Sequence, residues 1–363
     1  MDFTLSPEQL MIKDSVERYA AGPKTANDWA NFGNLGWLAI GAPDELGGFG
    51  GPIETMLVME AFGRGLVSEP YVAQVVLAGG VLRASGRNDL LESLADGSAR
   101  FAVAYEEAHA RYDASSVATN AVRDGENYTL SGKKVRALGA KTAGTVIVSA
   151  RTGDEITLFA VPTDAAGVTI EPYKSEDTHD ASDITFANVR VGTDAIVGKL
   201  GAGLEALEWG LDHATAALCA EGVGLMATML DATVEYTKQR NQFGVPIGSF
   251  QALQHRMAEM FMELELARSM SIVAAMTLDE NAGANARKRG VSMAKVQIAR
   301  SGRFIGQNTI QLHGGIGMSE EYKIGHYFKR MTMVERLLGD INYHLARFVA
   351  LRGANDREPA AVS

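Results

Sequence analysis

The chain has 363 residues, 46% of them hydrophobic, enough for two or three domains sharing a large buried interior. A formal net charge of -10 at pH 7, with no basic stripe, excludes a protein built to grip a nucleic-acid backbone. The single cysteine, Cys219, excludes an internal disulfide; its apolar setting AALCAEGVGL points to a small buried thiol in a reducing, cytoplasmic protein. The opening residues MDFTLSPEQL lack a basic start followed by an apolar core. No apolar stretch approaches the ~20 residues of a membrane span, so neither export nor membrane insertion is expected.

Ser6-Pro7-Glu8-Gln9 starts a helix, with serine as N-cap, proline in the first turn, and glutamine placed to return the hydrogen bond. The glycine-rich run Gly47 to Pro52 reads as a loop, because no strand precedes it and no helix opens on a phosphate cradle. Helical patterns cover Ile53 to Leu66 and recur through the seventies and eighties. Between Phe101 and Gly192 the period changes to two, in FAVAY, VATNAVRDGENYTLSG with a turn at Asp124-Gly125, TVIVSA, ITLFAV, VTI and ITFANVRV. From Gly203 the pattern is helical again in four long runs: to Gln239, from Phe250 to Thr277, from Ala286 to Leu312, and after Met331. They predict an antiparallel four-helix bundle, and REPAAVS at the end reads as a loose tail. The fold class is α+β: an N-terminal helical domain (1–100), a middle β domain (101–200) and a C-terminal helical bundle (201–363). Without alternating βαβ units a Rossmann site is excluded, and any nucleotide must be held by other means.

Two segments of the bundle carry the clearest chemistry. Arg240-Asn241-Gln242-Phe243-Gly244-Val245-Pro246-Ile247, followed by Phe250-Gln251, puts an arginine at a helix end beside a tight Phe-Gly turn. That combination offers a fixed guanidinium and an aromatic edge to a diphosphate and an adenine. Gln311-Leu312-His313-Gly314-Gly315-Ile316-Gly317-Met318 contains a Gly-Gly-x-Gly turn, where a ligand can approach backbone with no Cβ between. Taken singly, Arg240 also reads as a cation on a helix dipole and the glycines as a helix C-cap.

With these motifs and its helical, β-barrel-like, helical order, the chain resembles the acyl-CoA dehydrogenases over nearly its whole length. More narrowly, MDFTLSPEQ, GGFGGPIETMLVMEAFGRGL, GVPIGSFQALQHR and GIGMSEEYKIGHYFKRMTM resemble the small subunit of pimeloyl-CoA dehydrogenases. The resemblance implies FAD-dependent α,β-dehydrogenation of an acyl-CoA thioester, with an electron-transfer flavoprotein as acceptor. It implies a homo- or hetero-tetramer, the latter pairing this chain with a larger acyl-CoA dehydrogenase subunit. The FAD contacts it implies are Arg240, Gln242, Phe243, Gln251, Gln311, Gly314 and Gly315, the two segments coming from different subunits. Asp340 stands in place of a threonine that touches flavin. Asp212 matches an aspartate of the acyl-CoA site; on its own it reads equally as an exposed acid on a helix. No metal is implied.

The same resemblance has gaps. The family's reaction needs a carboxylate base to take a proton beside the thioester carbonyl, and its two usual glutamate positions fall on Leu338 and Ala214, with Thr215 in place of a neighbouring arginine. Two carboxylates are left as catalytic candidates. Asp340 lies two residues beyond Leu338 and by itself reads more readily as a cap or a solvent-facing group. Glu221 lies in an apolar helix, where burial is expected to raise its pKa. In the β domain, Tyr105-Glu106-Glu107 replaces Thr-Glu-Pro, Tyr112 replaces a serine near CoA while Asp113 keeps its place, and Arg136-Ala137-Leu138 replaces Trp-Ile-Thr beside the flavin. The alternative function is therefore a non-catalytic, FAD-binding partner subunit beside a glutamate-bearing one.

Overall fold

The computed structural model describes residues 4–23, 28–278 and 283–355; the tail expected at 357–363 lies outside them. Both halves of the capping box form at the first helix, α1 (Pro7–Ala21): Gln9 N–H donates to Ser6 Oγ at 3.2 Å, and Ser6 N–H donates to Gln9 Oε1 at 2.9 Å. Helices α2 (Asp28–Asn34), α3 (Pro52–Gly65), α4 (Gly79–Ala84) and α5 (Asn88–Ala95) follow, with a π-helical segment Val72–Ala78 leading into α4. Gly47 to Gly51 form the expected loop, and Pro52 already opens α3.

Contacts divide the chain into two compact units. One consists of Lys24–Gly51 and Ser68–Ala214 and holds strands β1 (Phe101–Ala104), β2 (Asn120–Asp124), β3 (Asn127–Leu138), β4 (Thr145–Thr152), β5 (Glu155–Pro162), β6 (Val168–Lys174), β7 (Asp180–Gly192) and β8 (Ile196–Val197). They form one sheet in the order β6-β7-β3-β2-β4-β5-β8, with β1 parallel to β4. The β2–β3 hairpin closes at the pair Asp124–Asn127, so its loop is Gly125-Glu126, one residue beyond the expected turn, with Gly125 at φ 63°. The period of two holds along β3, where buried residues alternate for part of its length. It fails in β4 and β5, which are buried on both faces and read as continuous apolar runs. Leu130, Val148, Phe159, Ile184 and Phe186 form the heart of this core.

The other unit comprises Met1–Pro23, Pro52–Val67 and Thr215–Ser363. It contains α1, α3, most of α6 (Gly203–Gln239), α7 (Gln251–Thr277), α8 (Ala284–His313), α9 (Lys323–Arg336) and α10 (Ile341–Asn355). The expected final helix after Met331 is in fact two. The first begins at Lys323 and stops at Arg336, because Leu338 and Gly339 take φ 57° and 111°, which no right-handed helix accommodates. Asp340 then caps the second, its carboxylate accepting from Tyr343 N–H at 2.9 Å.

Contrary to the sequence reading, α6 holds an 18-residue window of mean hydropathy 1.3, apolar enough to cross a membrane by length and composition. Yet 78% of that window is buried inside the protein, the environment of a core helix. Cys219 lies there fully buried, and burial pushes its thiol pKa up to about 12, as an inert core cysteine requires.

Candidate functional site

At the end of α6 the chain leaves through a short hairpin of β9 (Asn241–Gln242) and β10 (Val245–Pro246). Its two-residue loop, Phe243-Gly244, has positive φ at both positions, 55° and 82°, as a type I′ turn demands. Asparagine or glycine usually fills the first of these positions, so a phenylalanine there is strained. It is also 91% exposed, with its ring edge-on to Phe250 at 6.2 Å. Ile247 N–H donates to Arg240 O at 2.8 Å, tying the hairpin back to the helix end before α7 begins at Gln251.

The second motif follows α8. Gly314 caps that helix, its N–H reaching Gln311 O and Ile310 O, and Gly314–Met318 form one 3₁₀ segment. The helices that carry the two motifs pack together near their ends: the His313 ring stacks on Tyr236 of α6 at 4.5 Å, and Thr233 Oγ1 donates to Thr309 Oγ1 at 3.3 Å. Burial holds the His313 imidazole below its ordinary pKa, so this stack is neutral near pH 7. Arg240, Gln242, Phe243, Gln251, Gln311, Gly314 and Gly315 are all solvent-exposed. Among the described residues Arg240 has no ion-pair partner. A Cβ built on Gly315 would meet nothing within 4 Å, and its φ is not positive, so nothing in the fold requires glycine there. For Gly314 the cap explains the residue; for Gly315 it does not.

The carboxylates stand apart from this end. Glu221 is buried and forms a two-pronged ion pair with Arg330 of α9: Nε to Oε1 at 2.5 Å and Nη2 to Oε2 at 2.8 Å. A matched guanidinium thus compensates the buried carboxylate's charge. Asp340 acts as the cap described above. Asp212 is fully buried on α6, which overturns its reading as an exposed acid. Ala214 and Thr215 are buried on the same helix, and Leu338 is buried in the turn before Asp340.

Sequence reasoning passed over Lys295 and His344. Lys295, fully buried on α8, donates from Nζ to Leu337 O at 2.5 Å and Gly339 O at 2.9 Å, while His344 Nε2 donates to Leu338 O at 3.0 Å. A signal was available: Val291, Lys295, Ile298 and Gly302 fall on one helical stripe, all buried, with a lysine among apolar and small residues.

In the sheet unit, the positions resembling flavin contacts are filled by charged pairs. Glu106 accepts from Arg136 Nε at 2.8 Å and from Tyr105 Oη at 3.0 Å. Burial raises the Glu106 pKa, with Arg136 opposing. Arg136 sits at a bulge of β3 with φ 53°, its guanidinium 5.8 Å from the Tyr112 ring centre. Beneath it Lys134 Nζ donates to Glu107 Oε1 at 2.7 Å and Ser149 Oγ at 2.9 Å, and Glu107 also accepts from Ala118 and Thr119 N–H. Burial lowers the Lys134 pKa to about 8 despite its partner.

Three family models match in succession along this chain: acyl-CoA dehydrogenase N-terminal domain over residues 6–100, middle domain over 102–189 and C-terminal domain over 201–350. The chain belongs to the acyl-CoA dehydrogenase family. A probable acyl-CoA dehydrogenase of Bacillus subtilis, YngJ, is 31% identical over 381 aligned positions, covering 97% of this chain and 99% of that protein. Among solved structures, the Tcur3481-Tcur3483 steroid ACAD superposes with a TM-score of 0.85 at 28% identity, covering 97% of this chain and 99% of the other. The FAD complex of PigA matches with a TM-score of 0.90 at 25% identity, covering 98% and 100%. As an acyl-CoA dehydrogenase family member, the chain carries the helical, sheet and helical segments in the family order, while Leu338, Ala214 and Arg136 depart from the family pattern noted above.

Proposed function

We propose that this chain is an FAD-dependent acyl-CoA dehydrogenase subunit, acting in a tetramer on an acyl-CoA thioester and passing electrons to an electron-transfer flavoprotein. Its organisation follows the family's three segments, 1–100, 101–200 and 201–363, and its compartment is the cytoplasm. The observation that supports the reading is the pair of exposed motifs after α6 and α8, each expected to meet its counterpart from another subunit: a guanidinium with no ion-pair partner among the described residues, a strained exposed phenylalanine and a glycine the fold does not need. Such a donor set suits a pyrophosphate and an adenine. Arg240 and the Gly314-Gly315 backbone would hold the pyrophosphate; Phe243, Gln242, Gln251 and Gln311 would border the nucleotide. FAD bound there supplies hydride acceptance, while Asp212 serves the acyl-CoA site. Exposed apolar side chains along α7, among them Phe261, Met262 and Leu266, support burial against further subunits.

A second reading, a non-catalytic FAD-binding partner beside a glutamate-bearing subunit, is favoured by a specific observation. Leu338 and Ala214 occupy the usual base positions, and the remaining candidates, Asp340 and Glu221, are already engaged as a cap and an ion pair. The test is to purify the chain alone and with a glutamate-bearing family partner, then measure bound flavin and anaerobic bleaching by acyl-CoA. Flavin in the lone chain with bleaching only in the mixed assembly supports the partner reading, and full bleaching by the lone chain refutes it. Absence of flavin from both preparations refutes the proposal as a whole.

A further inference from the structure

We infer that Lys295 and His344 are positioning residues: they lock the Leu337–Asp340 turn so that whatever side chain stands at 338 is presented in one fixed direction. The inference rests on the acyl-CoA dehydrogenase reading above.

The turn is unusual in two respects. Leu338 is a bulky residue at φ 57°, followed by Gly339 at 111°, a combination kept only where surrounding structure enforces it. In addition, three successive carbonyls, those of Leu337, Leu338 and Gly339, accept from buried side chains, two from Lys295 and one from His344. Lys295 is 0% and His344 1% exposed.

Each donor is itself fixed. Ser292 Oγ lies 3.3 Å from His344 Nδ1, and its hydroxyl can donate there, leaving the Nε2 proton for Leu338 O. Burial, reinforced by the nearby Lys295 charge, holds the His344 imidazole at a pKa of about 3, so the ring is neutral and its second nitrogen is available as an acceptor. The charged and titratable groups around Lys295 are Cys219 on α6, Glu335 on α9, and Asp340 and His344 beside the turn. Among the described residues no carboxylate makes ion-pair contact with Lys295; its hydrogen bonds go to backbone. A buried ammonium without a carboxylate partner is costly, and a turn needed only to join two helices can be built without one. The arrangement therefore specifies the path of the chain at 338, the position that resembles the family's base-bearing one.

The experiment uses the full-length chain, alone and with a glutamate-bearing family partner, and compares Leu338→Glu, Leu338→Gln, Leu338→Glu/Lys295→Met and Leu338→Glu/Lys295→Arg. Flavin content is read before substrate is added; octanoyl-CoA is then mixed anaerobically and bleaching followed, with the same series repeated using a bulky ring-bearing acyl-CoA. The expected result is bleaching at least tenfold faster in Leu338→Glu than in Leu338→Gln at equal flavin content. Lys295→Met is expected to remove that gain at least tenfold, and Lys295→Arg, which can still donate to two carbonyls, to restore part of it. Equal rates with methionine and lysine at 295, or no gain from glutamate in a flavin-loaded chain with either thioester, overturn the inference. A wild-type chain that is flavin-free both alone and in the mixed assembly would instead refute the underlying reading. Amide hydrogen exchange then decides the clamp without cofactor: Lys295→Met or His344→Ala should speed exchange at 338–343 at least tenfold while the middle of α8 keeps its protection. Unchanged exchange at 338–343 overturns it.

Discussion

Replacing Gly315 by alanine separates ligand binding from folding at the nucleotide end. A methyl group there meets no atom within 4 Å, and the residue does not use a left-handed conformation. The substitution should therefore stabilise the chain by about 0.4–1 kcal/mol through loss of unfolded-state entropy. If the pyrophosphate rests on this backbone, the same methyl displaces a charge-assisted hydrogen bond worth about 1.5–3 kcal/mol. That raises the FAD dissociation constant by about 10- to 150-fold. Gly144 is a matched control: it is exposed, has open space around its Cβ position and lies outside the motif. Calorimetric titration of the apoprotein with FAD, beside thermal unfolding of both alanine variants without FAD, gives the two quantities independently. A Gly315→Ala chain that binds FAD as tightly as wild type would refute the placement of the nucleotide, and one that unfolds at markedly lower temperature would refute the claim that the fold leaves this glycine free.

Arg240→Met should leave stability within about 0.5 kcal/mol, because the residue is exposed, while weakening FAD binding; unchanged retention of flavin on gel filtration would count against its role. Glu221→Leu strands the Arg330 guanidinium in the core and should cost about 3–5 kcal/mol; a loss under about 1 kcal/mol in urea denaturation would show that the pair is not structural. The buried lysine on α8 gives a pH dependence with a definite sign. Its pKa is about 8 when folded against an ordinary 10.5, so between those values the unfolded chain holds the extra proton. Stability from this group is thus lowest below pH 8 and rises through the window, by about 3 kcal/mol at most. Lys295→Met should lack that rise, and parallel stability curves for the two proteins between pH 8 and 10.5 would refute the assignment.

Much of this was legible because the controlling interactions are local. The Ser6 capping box, the glycine-rich loop before α3 and the change of period at Phe101 each depend on residues a few positions apart. The break between α9 and α10 was less so. Gly339-Asp340 spells a helix stop followed by a cap, but a leucine in the left-handed region has no sequence signature, and the lysine that donates to the turn, Lys295, is more than forty residues away. The ion pair of Glu221 was hidden for the same reason: its guanidinium partner lies 109 residues along the chain, and only folding brings the two charges together. The exposed residues after α6 and α8 were legible as motifs, whereas the packing of those two helices through Tyr236 and His313 required the structure.

The two-unit division has a consequence for spectroscopy. Trp29, Trp37 and Trp209, the chain's three tryptophans, all belong to the unit that contains the sheet. Intrinsic tryptophan emission consequently reports on that unit, and the bundle bearing the Arg240 and Gly314 motifs is dark at the same wavelength. Trp209 is also stacked on His213 with ring centres 3.5 Å apart, so part of the emission tracks a single local contact. Fluorescence melting curves and far-ultraviolet dichroism will then diverge whenever the helical unit loosens first. A tryptophan substituted for the exposed Phe243 would give the dark unit its own reporter, at the position where an adenine is expected to quench it.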